Sequence, residues 1–303
     1  MTQIFKTEEG EQAVKCRYRD ILENWLQPHE QRYLDTRHGR TFVIASGDVN
    51  APALLLFHGS GSNSVSWLGD IPIWAQHFRV YAVDMIGEPG LSEANRLPWD
   101  DPGYIEWLDD IYRELNISQA GMVGMSLGGW LALTYGCARP DRVTGMGLIA
   151  PGGLSPARKS FMFKALFYLM MGSWGQRKLG ELVGYRREED GSDSDNSTIY
   201  MGEEMTAFVS LINKEFNFHR GDLPEPSAEL LGNLTMPIKL FFGDQDALLN
   251  APASCERLAA CAPQADIQLL PGVGHVILDK GLELLDFFQC ASQAAKDSVS
   301  SAM

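Results

Sequence analysis

The residues of this chain with the clearest chemical purpose lie in Gly121-Met122-Val123-Gly124-Met125-Ser126-Leu127-Gly128-Gly129, which holds G-x-S-x-G at Gly124, Ser126 and Gly128. An apolar, strand-like run precedes the serine, and a helix-like run from Leu127 to Ala138 follows it. At so tight a strand-to-helix turn the serine has strained backbone angles. Its neighbours two residues away on each side must then be nearly free of side chain. The turn lifts the hydroxyl clear of the sheet and leaves the Leu127 N–H at a helix N-terminus, where it can stabilise an oxyanion. The chemistry this predicts is nucleophilic attack on a carbonyl.

Such a serine needs a base. The histidines are His29, His38, His58, His77, His219 and His275, and His275 stands in a glycine-flanked loop after a late strand, Leu269-Leu270-Pro271-Gly272-Val273-Gly274-His275. His58 competes, but it sits at the mouth of His58-Gly59-Ser60-Gly61-Ser62, where bonding to backbone is the expectation. That loop could hold a phosphate or an oxyanion. The dinucleotide fingerprint fails, because Ser64 stands where the third glycine belongs, so the Ser60 N–H is expected as the second oxyanion donor. A carboxylate must orient the imidazole. Phe241-Phe242-Gly243-Asp244-Gln245-Asp246 offers two, one as orienter and the other as a loop brace. Asp84, which opens the Gly/Pro-rich stretch Asp84–Ser92, is read as a brace for that loop.

The elements that must position these groups alternate. Residues 9–26 read as an amphipathic helix, and 32–36 with 40–45 as a strand pair turning at His38-Gly39. Strands are expected at 53–57, 78–84, 121–125, 143–149, 238–242 and 267–270, with helices at 105–115, between the last two strands and after Lys280. Near-continuous apolar strands alternating with helices specify an α/β fold with a mostly parallel sheet covered on both faces. The candidate residues then fall at the carboxyl ends of strands, where such folds place their sites.

The chain has 303 residues, 45% hydrophobic and 21% charged, with a net charge of −14. That balance suits a globular protein and argues against nucleic acid or an anionic membrane surface as partner. Five scattered cysteines (Cys16, Cys137, Cys255, Cys261 and Cys290) suggest neither a disulfide framework nor a metal site. Asp193, Asp195 and Glu204 have some calcium-loop spacing, but Thr198 replaces the central glycine, and an acidic surface loop is expected instead. The polar start shows no signal-peptide core, and the apolar stretch at 161–171 is too short to span a bilayer. A cytoplasmic, membrane-free protein without cofactor or metal is expected. The oligomeric state is not specified.

Taken jointly and in order, the stretches 58–67 (HGSGSNSVSW), 84–92 (DMIGEPGLS), 124–129 (GMSLGG), 241–252 (FFGDQDALLNAP) and 271–278 (PGVGHVIL) resemble the α/β-hydrolase superfamily, its lid-bearing serine esterase/lipase-like group. The resemblance implies a Ser126–Asp246–His275 triad, since the acid usually stands three residues after the strand-ending glycine. It also implies Ser60 and Leu127 as oxyanion donors. One departure is Glu88-Pro89 between the loop glycines. Residues 152–233 interrupt the strand rhythm and read as an inserted helical lid, with 1–151 and 234–303 as the core domain. Trp67, Phe161, Phe167, Met170, Met171 and Trp174, with Phe163 and Tyr168, are candidates for an apolar substrate pocket. The expected activity is hydrolysis of a small or medium hydrophobic ester. C–C bond hydrolysis, thioester hydrolysis, perhydrolysis or ligand binding on the same fold are the alternatives.

Overall fold

The structure is a computed structural model that describes residues 3–156, 203–219 and 221–301. The first element is α1 (Glu8–Asn24), started by Thr7, whose hydroxyl accepts the Gly10 N–H at 2.9 Å. Its apolar stripe of Val14, Tyr18 and Leu22 is buried. The helix was expected to reach residue 26, but Trp25 is already extended and Leu26 is 95% exposed. Pro28 lies just beyond, and a chain approaching proline is biased out of the helical region.

The chain continues through β1 (Glu30–Thr36), β2 (Gly39–Ser46), β3 (Ala53–Phe57), the short α2 (Ile71–Trp74), β4 (Arg79–Val83), α3 (Gly103–Glu114), β5 (Ala120–Met125), α4 (Leu127–Ala138) and β6 (Val143–Ile149). After residue 203 come α5 (Glu203–Glu215), the short α6 (Ala228–Leu231), β7 (Ile238–Gly243), α7 (Ala251–Cys261), β8 (Ala265–Leu270) and α8 (Gly281–Ser301). The strands form one sheet in the order β1-β2-β4-β3-β5-β6-β7-β8. The β1–β2 and β2–β4 pairs are antiparallel and every later pair is parallel. Helices cover both faces, as the apolar character of the central strands requires: Leu54, Leu55, Leu56 and Phe57 of β3 are all buried. The outermost strand β8 departs from that pattern. It is half-exposed, because it has a neighbour on one side only.

Parallel register places the functional stretches together. Phe57 pairs with Gly124, Met125 with Ile149, Ile149 with Phe241, and Gly243 with Leu270. The loops that follow β3, β5, β7 and β8 therefore leave the sheet along one edge. The close approach of α4 to β3 sets the tightest local constraint. A Cβ on Gly128 would lie 2.1 Å from the Phe57 carbonyl oxygen, and one on Gly124 would lie 2.3 Å from the Gly128 carbonyl oxygen.

The obstacle at Gly128 is backbone, whereas a Cβ on Gly136 of the same helix would meet the methyl end of Met146 at 2.5 Å. Gly128→Ala should therefore cost about 3 kcal/mol in urea denaturation. Gly136→Ala should change stability by less than about 1 kcal/mol, because the Met146 side chain can turn aside and alanine favours a helix. Equal effects of the two substitutions would contradict the packing described.

Candidate active site

Ser126 joins β5 to α4 with φ 51° and ψ −107°, a conformation that non-glycine residues seldom adopt. Backbone bonds hold it there. Its N–H donates to the Ile149 carbonyl at 2.9 Å, and its carbonyl accepts from Trp130 and Gly152, both at 3.0 Å. Leu127 is the first residue of α4, so its N–H has no acceptor within the helix.

His275 arrives on the loop after β8. Its Nε2 lies 3.0 Å from Ser126 Oγ, and its Nδ1 lies 2.8 Å from Asp246 Oδ2. Asp246 is wholly buried and His275 nearly so. The other carboxylate oxygen of Asp246 accepts the N–H groups of Leu248 and Leu249 at 2.8 and 2.9 Å. Asp244 turns elsewhere and takes the Gly272 N–H at 2.8 Å, bracing the histidine loop. The two acidic residues after β7 thus separate by partner, one reaching the imidazole and the other reaching the loop that carries it. This array can relay a proton from a serine hydroxyl to an imidazole whose charged form a carboxylate stabilises.

The loop after β3 closes the site from the opposite side. A Cβ on Gly59 would lie 3.7 Å from Ser126 Cβ, so this backbone passes directly beside the serine. His58 is fully buried. Its Nδ1 donates to the Gly59 carbonyl at 2.8 Å, while Nε2 accepts the Met85 N–H at 2.9 Å. Burial pushes its pKa below the ordinary histidine value, which favours the neutral ring those two bonds require. Asp84 braces the loops: Oδ1 accepts from the Tyr18 hydroxyl at 2.9 Å and from the Ser64 N–H and hydroxyl at 2.9 and 2.7 Å, and Oδ2 accepts from Leu91 N–H at 2.8 Å. The residue that sequence reasoning noted only as a departure, Glu88, is 3% exposed and accepts the Gly61 N–H at 2.6 Å.

Trp67 is buried and lines a cavity of about 150 Å³ together with Asp70, Trp74, Met125 and Ile277, beside the residues that carry Ser126 and His275. The other pocket candidates, Phe161, Phe163, Phe167, Tyr168, Met170, Met171 and Trp174, lie outside the described residues, as do Asp193, Asp195 and Thr198. Two apolar side chains not anticipated from the sequence stand near the site. Phe218 packs where a Cβ of Gly61 would be, and Leu223 packs against Gly152. Pro224 accepts the Trp130 indole N–H at 3.0 Å, which ties this segment to α4. Only the aromatic character of residues 216–219 hinted at such a role. Among the described residues, no helix is long and apolar enough to cross a membrane.

Burial lifts Glu88 from its ordinary 4.5 to about 7, against the opposing pull of the Gly61 N–H, Arg96 and Ser60. Between those values the unfolded chain has released this proton and the folded chain has not, so stability falls as pH rises from about 4.5 to about 7. Denaturation of wild type and Glu88→Gln at pH 5 and pH 8 should show the wild type losing roughly 2–3 kcal/mol more across that interval. Parallel losses in the two proteins would contradict a buried, raised carboxyl.

The model of the alpha/beta hydrolase family matches residues 54–286. The chain is 27% identical over 268 residues to the carboxylesterase YbfK of Bacillus subtilis (strain 168), covering 86% of each. Its fold is similar to the crystal structure of the naproxen esterase (carboxylesterase NP) from Bacillus subtilis, at 22% identity and TM-score 0.75, covering 96% of this chain and 99% of that one. A 2-hydroxy-6-oxo-6-phenylhexa-2,4-dienoate hydrolase from Rhodococcus sp. strain RHA1 is similar too, at 23% identity and TM-score 0.64, covering 86% and 99%. With most of its length matched by the family model and the sheet order, strained serine turn and edge-aligned loops in place, the chain belongs to the alpha/beta hydrolase family.

Proposed function

We propose that the protein is a serine carboxylesterase that cleaves a small or medium hydrophobic ester through an acyl-enzyme. The observation that carries this reading is the unbroken chain from Ser126 Oγ to His275 Nε2 at 3.0 Å and from His275 Nδ1 to Asp246 Oδ2 at 2.8 Å, set on a strained turn. Asp246 is already the acceptor of two backbone N–H groups, so it receives the Nδ1 proton and leaves Nε2 free to accept from the serine. His275 takes the Ser126 proton as Oγ attacks the ester carbonyl. The resulting oxyanion is held by the N–H groups of Ser60 and Leu127. The imidazolium then protonates the departing alcohol, and the same base activates water against the acyl-enzyme.

The relative named as a carboxylesterase supports the ester among the carbonyl substrates this chemistry can handle. Apolar walls support the hydrophobic character: Trp67 lines the cavity, and Phe218, 47% exposed, stands beside the loop after β3. Residues 152–233 are read as the cover over the site and 1–151 with 234–303 as the core. No cofactor enters the mechanism.

A p-nitrophenyl ester series from acetate to decanoate tests this reading. Ser126→Ala should lower kcat by at least about 10⁴-fold, and Asp246→Asn by about 10⁴-fold, because it stabilises the wrong tautomer. Asp244→Asn, which touches only the Gly272 N–H, should cost about tenfold or less. The optimum is expected at short to medium acyl chains. Turnover that survives Ser126→Ala, or a larger loss at Asp244 than at Asp246, would overturn the assignment.

A further inference from the structure

Two neighbouring loops are laced together along the site. Ser64 donates to Asp84, His58 accepts from Met85, Gly61 donates to Glu88, and the Asn63 amide donates to the Pro89 carbonyl at 2.9 Å. The residues on one side of this lacing, 58–64, carry the proposed oxyanion donor at Ser60. Its N–H belongs to the Gly59–Ser60 peptide, whose carbonyl is held by His58 at 2.8 Å. In a trans peptide the N–H points opposite to the carbonyl, so fixing one aims the other. The next peptide must be held as well, or the Ser60 N–H would rotate with it. Its N–H, that of Gly61, goes to Glu88 Oε2 at 2.6 Å.

Glu88 stands out in this lacing. It is almost completely buried, and taking a carboxyl out of water is costly, so an apolar side chain would fill the space more stably. Gly61 lies at φ 70°, with Phe218 packed on its outer side. Seen from the turn, Phe218 presses from outside and the carboxyl pulls from inside. The Ser60 side chain is exposed, and what hold it has is on the same Glu88 carboxyl, so it adds no separate anchor for the peptide.

We propose that Glu88 is a positioning residue for the oxyanion donor. By holding the Gly61 N–H it keeps the Ser60–Gly61 peptide from turning, and so keeps the Ser60 N–H aimed at the carbonyl attacked by Ser126. This rests on the esterase reading above. It adds a residue that does not touch substrate and whose loss falls on the transition state, where the charge on that oxygen is greatest.

The test compares Glu88→Gln, which keeps an accepting oxygen, with Glu88→Leu and Glu88→Ala, which do not; two acceptor-free variants are used so that misfolding of one leaves the other. Each is assayed on p-nitrophenyl butyrate and titrated with a trifluoromethyl ketone, whose hemiketal with Ser126 places its oxygen in the oxyanion position. The acceptor-free variants should lose about 100-fold in kcat with KM within about threefold. Their Ki for the ketone should rise by a similar factor, and Glu88→Gln should recover most of both. The inference is overturned if the acceptor-free variants match wild type, if Glu88→Gln loses as much as they do, or if kcat falls while Ki stays unchanged. Ser126→Ala is run alongside. Turnover that survives it would remove the esterase reading itself, whereas its abolition with unchanged Glu88 variants would remove only the role of Glu88.

Discussion

The close approach of α4 to the end of β3 is the constraint on which the site depends. The Gly128 Cα lies so near the Phe57 carbonyl that no side chain fits, and Gly124 lies as near to Gly128. With those two contacts made, the chain turns tightly between β5 and α4, and Ser126 occupies the turn at φ 51°. The strain is held by backbone hydrogen bonds to β6 and to the start of α4. Parallel pairing does the rest. It delivers the loops after β3, β7 and β8 to the same edge, where His275 and the Gly59 backbone come within hydrogen-bonding or van der Waals reach of the serine and Asp246 reaches the far side of the imidazole.

Around that turn, buried polar groups satisfy one another in small networks. Asp84 gathers four donors, Asp246 serves two amides and the imidazole, and His58 is bonded through both ring nitrogens. Such networks specify one arrangement of the loops, since any other would strand a buried polar group. Glu88 belongs to this set by geometry and differs in cost. Burial raises its pKa to about 7, so near neutral pH the fold tolerates a carboxyl that prefers its proton.

Much of the architecture is legible in the sequence, because the core strands are continuous apolar runs and the turns carry glycine. The eight strands and the helices flanking them fall within a few residues of the expected positions, and a mostly parallel sheet follows from the alternation. Helix α1 stops short of the apolar pattern because proline and an extended Trp25 intervene, which a periodicity count does not weigh. At the site, residue types and spacing single out Ser126 and His275 as candidates, but they leave Asp244 and Asp246 open. The distinction rests on where two loops meet after folding. The contacts of Glu88, Phe218 and Leu223 are less legible still. Each joins segments far apart in sequence, and nothing local marks a glutamate between loop glycines as the partner of Gly61.

The central claim is that Ser126 is the activated nucleophile of this site. Labelling by a fluorophosphonate, followed by intact-mass measurement and peptide mapping, tests it most directly because it needs no knowledge of the substrate. The account predicts one adduct per chain, mapped to Ser126, lost in Ser126→Ala and slowed by about 100-fold or more in His275→Ala, where the general base is gone. An unlabelled wild type under conditions that label a known serine esterase, or an adduct on another residue, would contradict it.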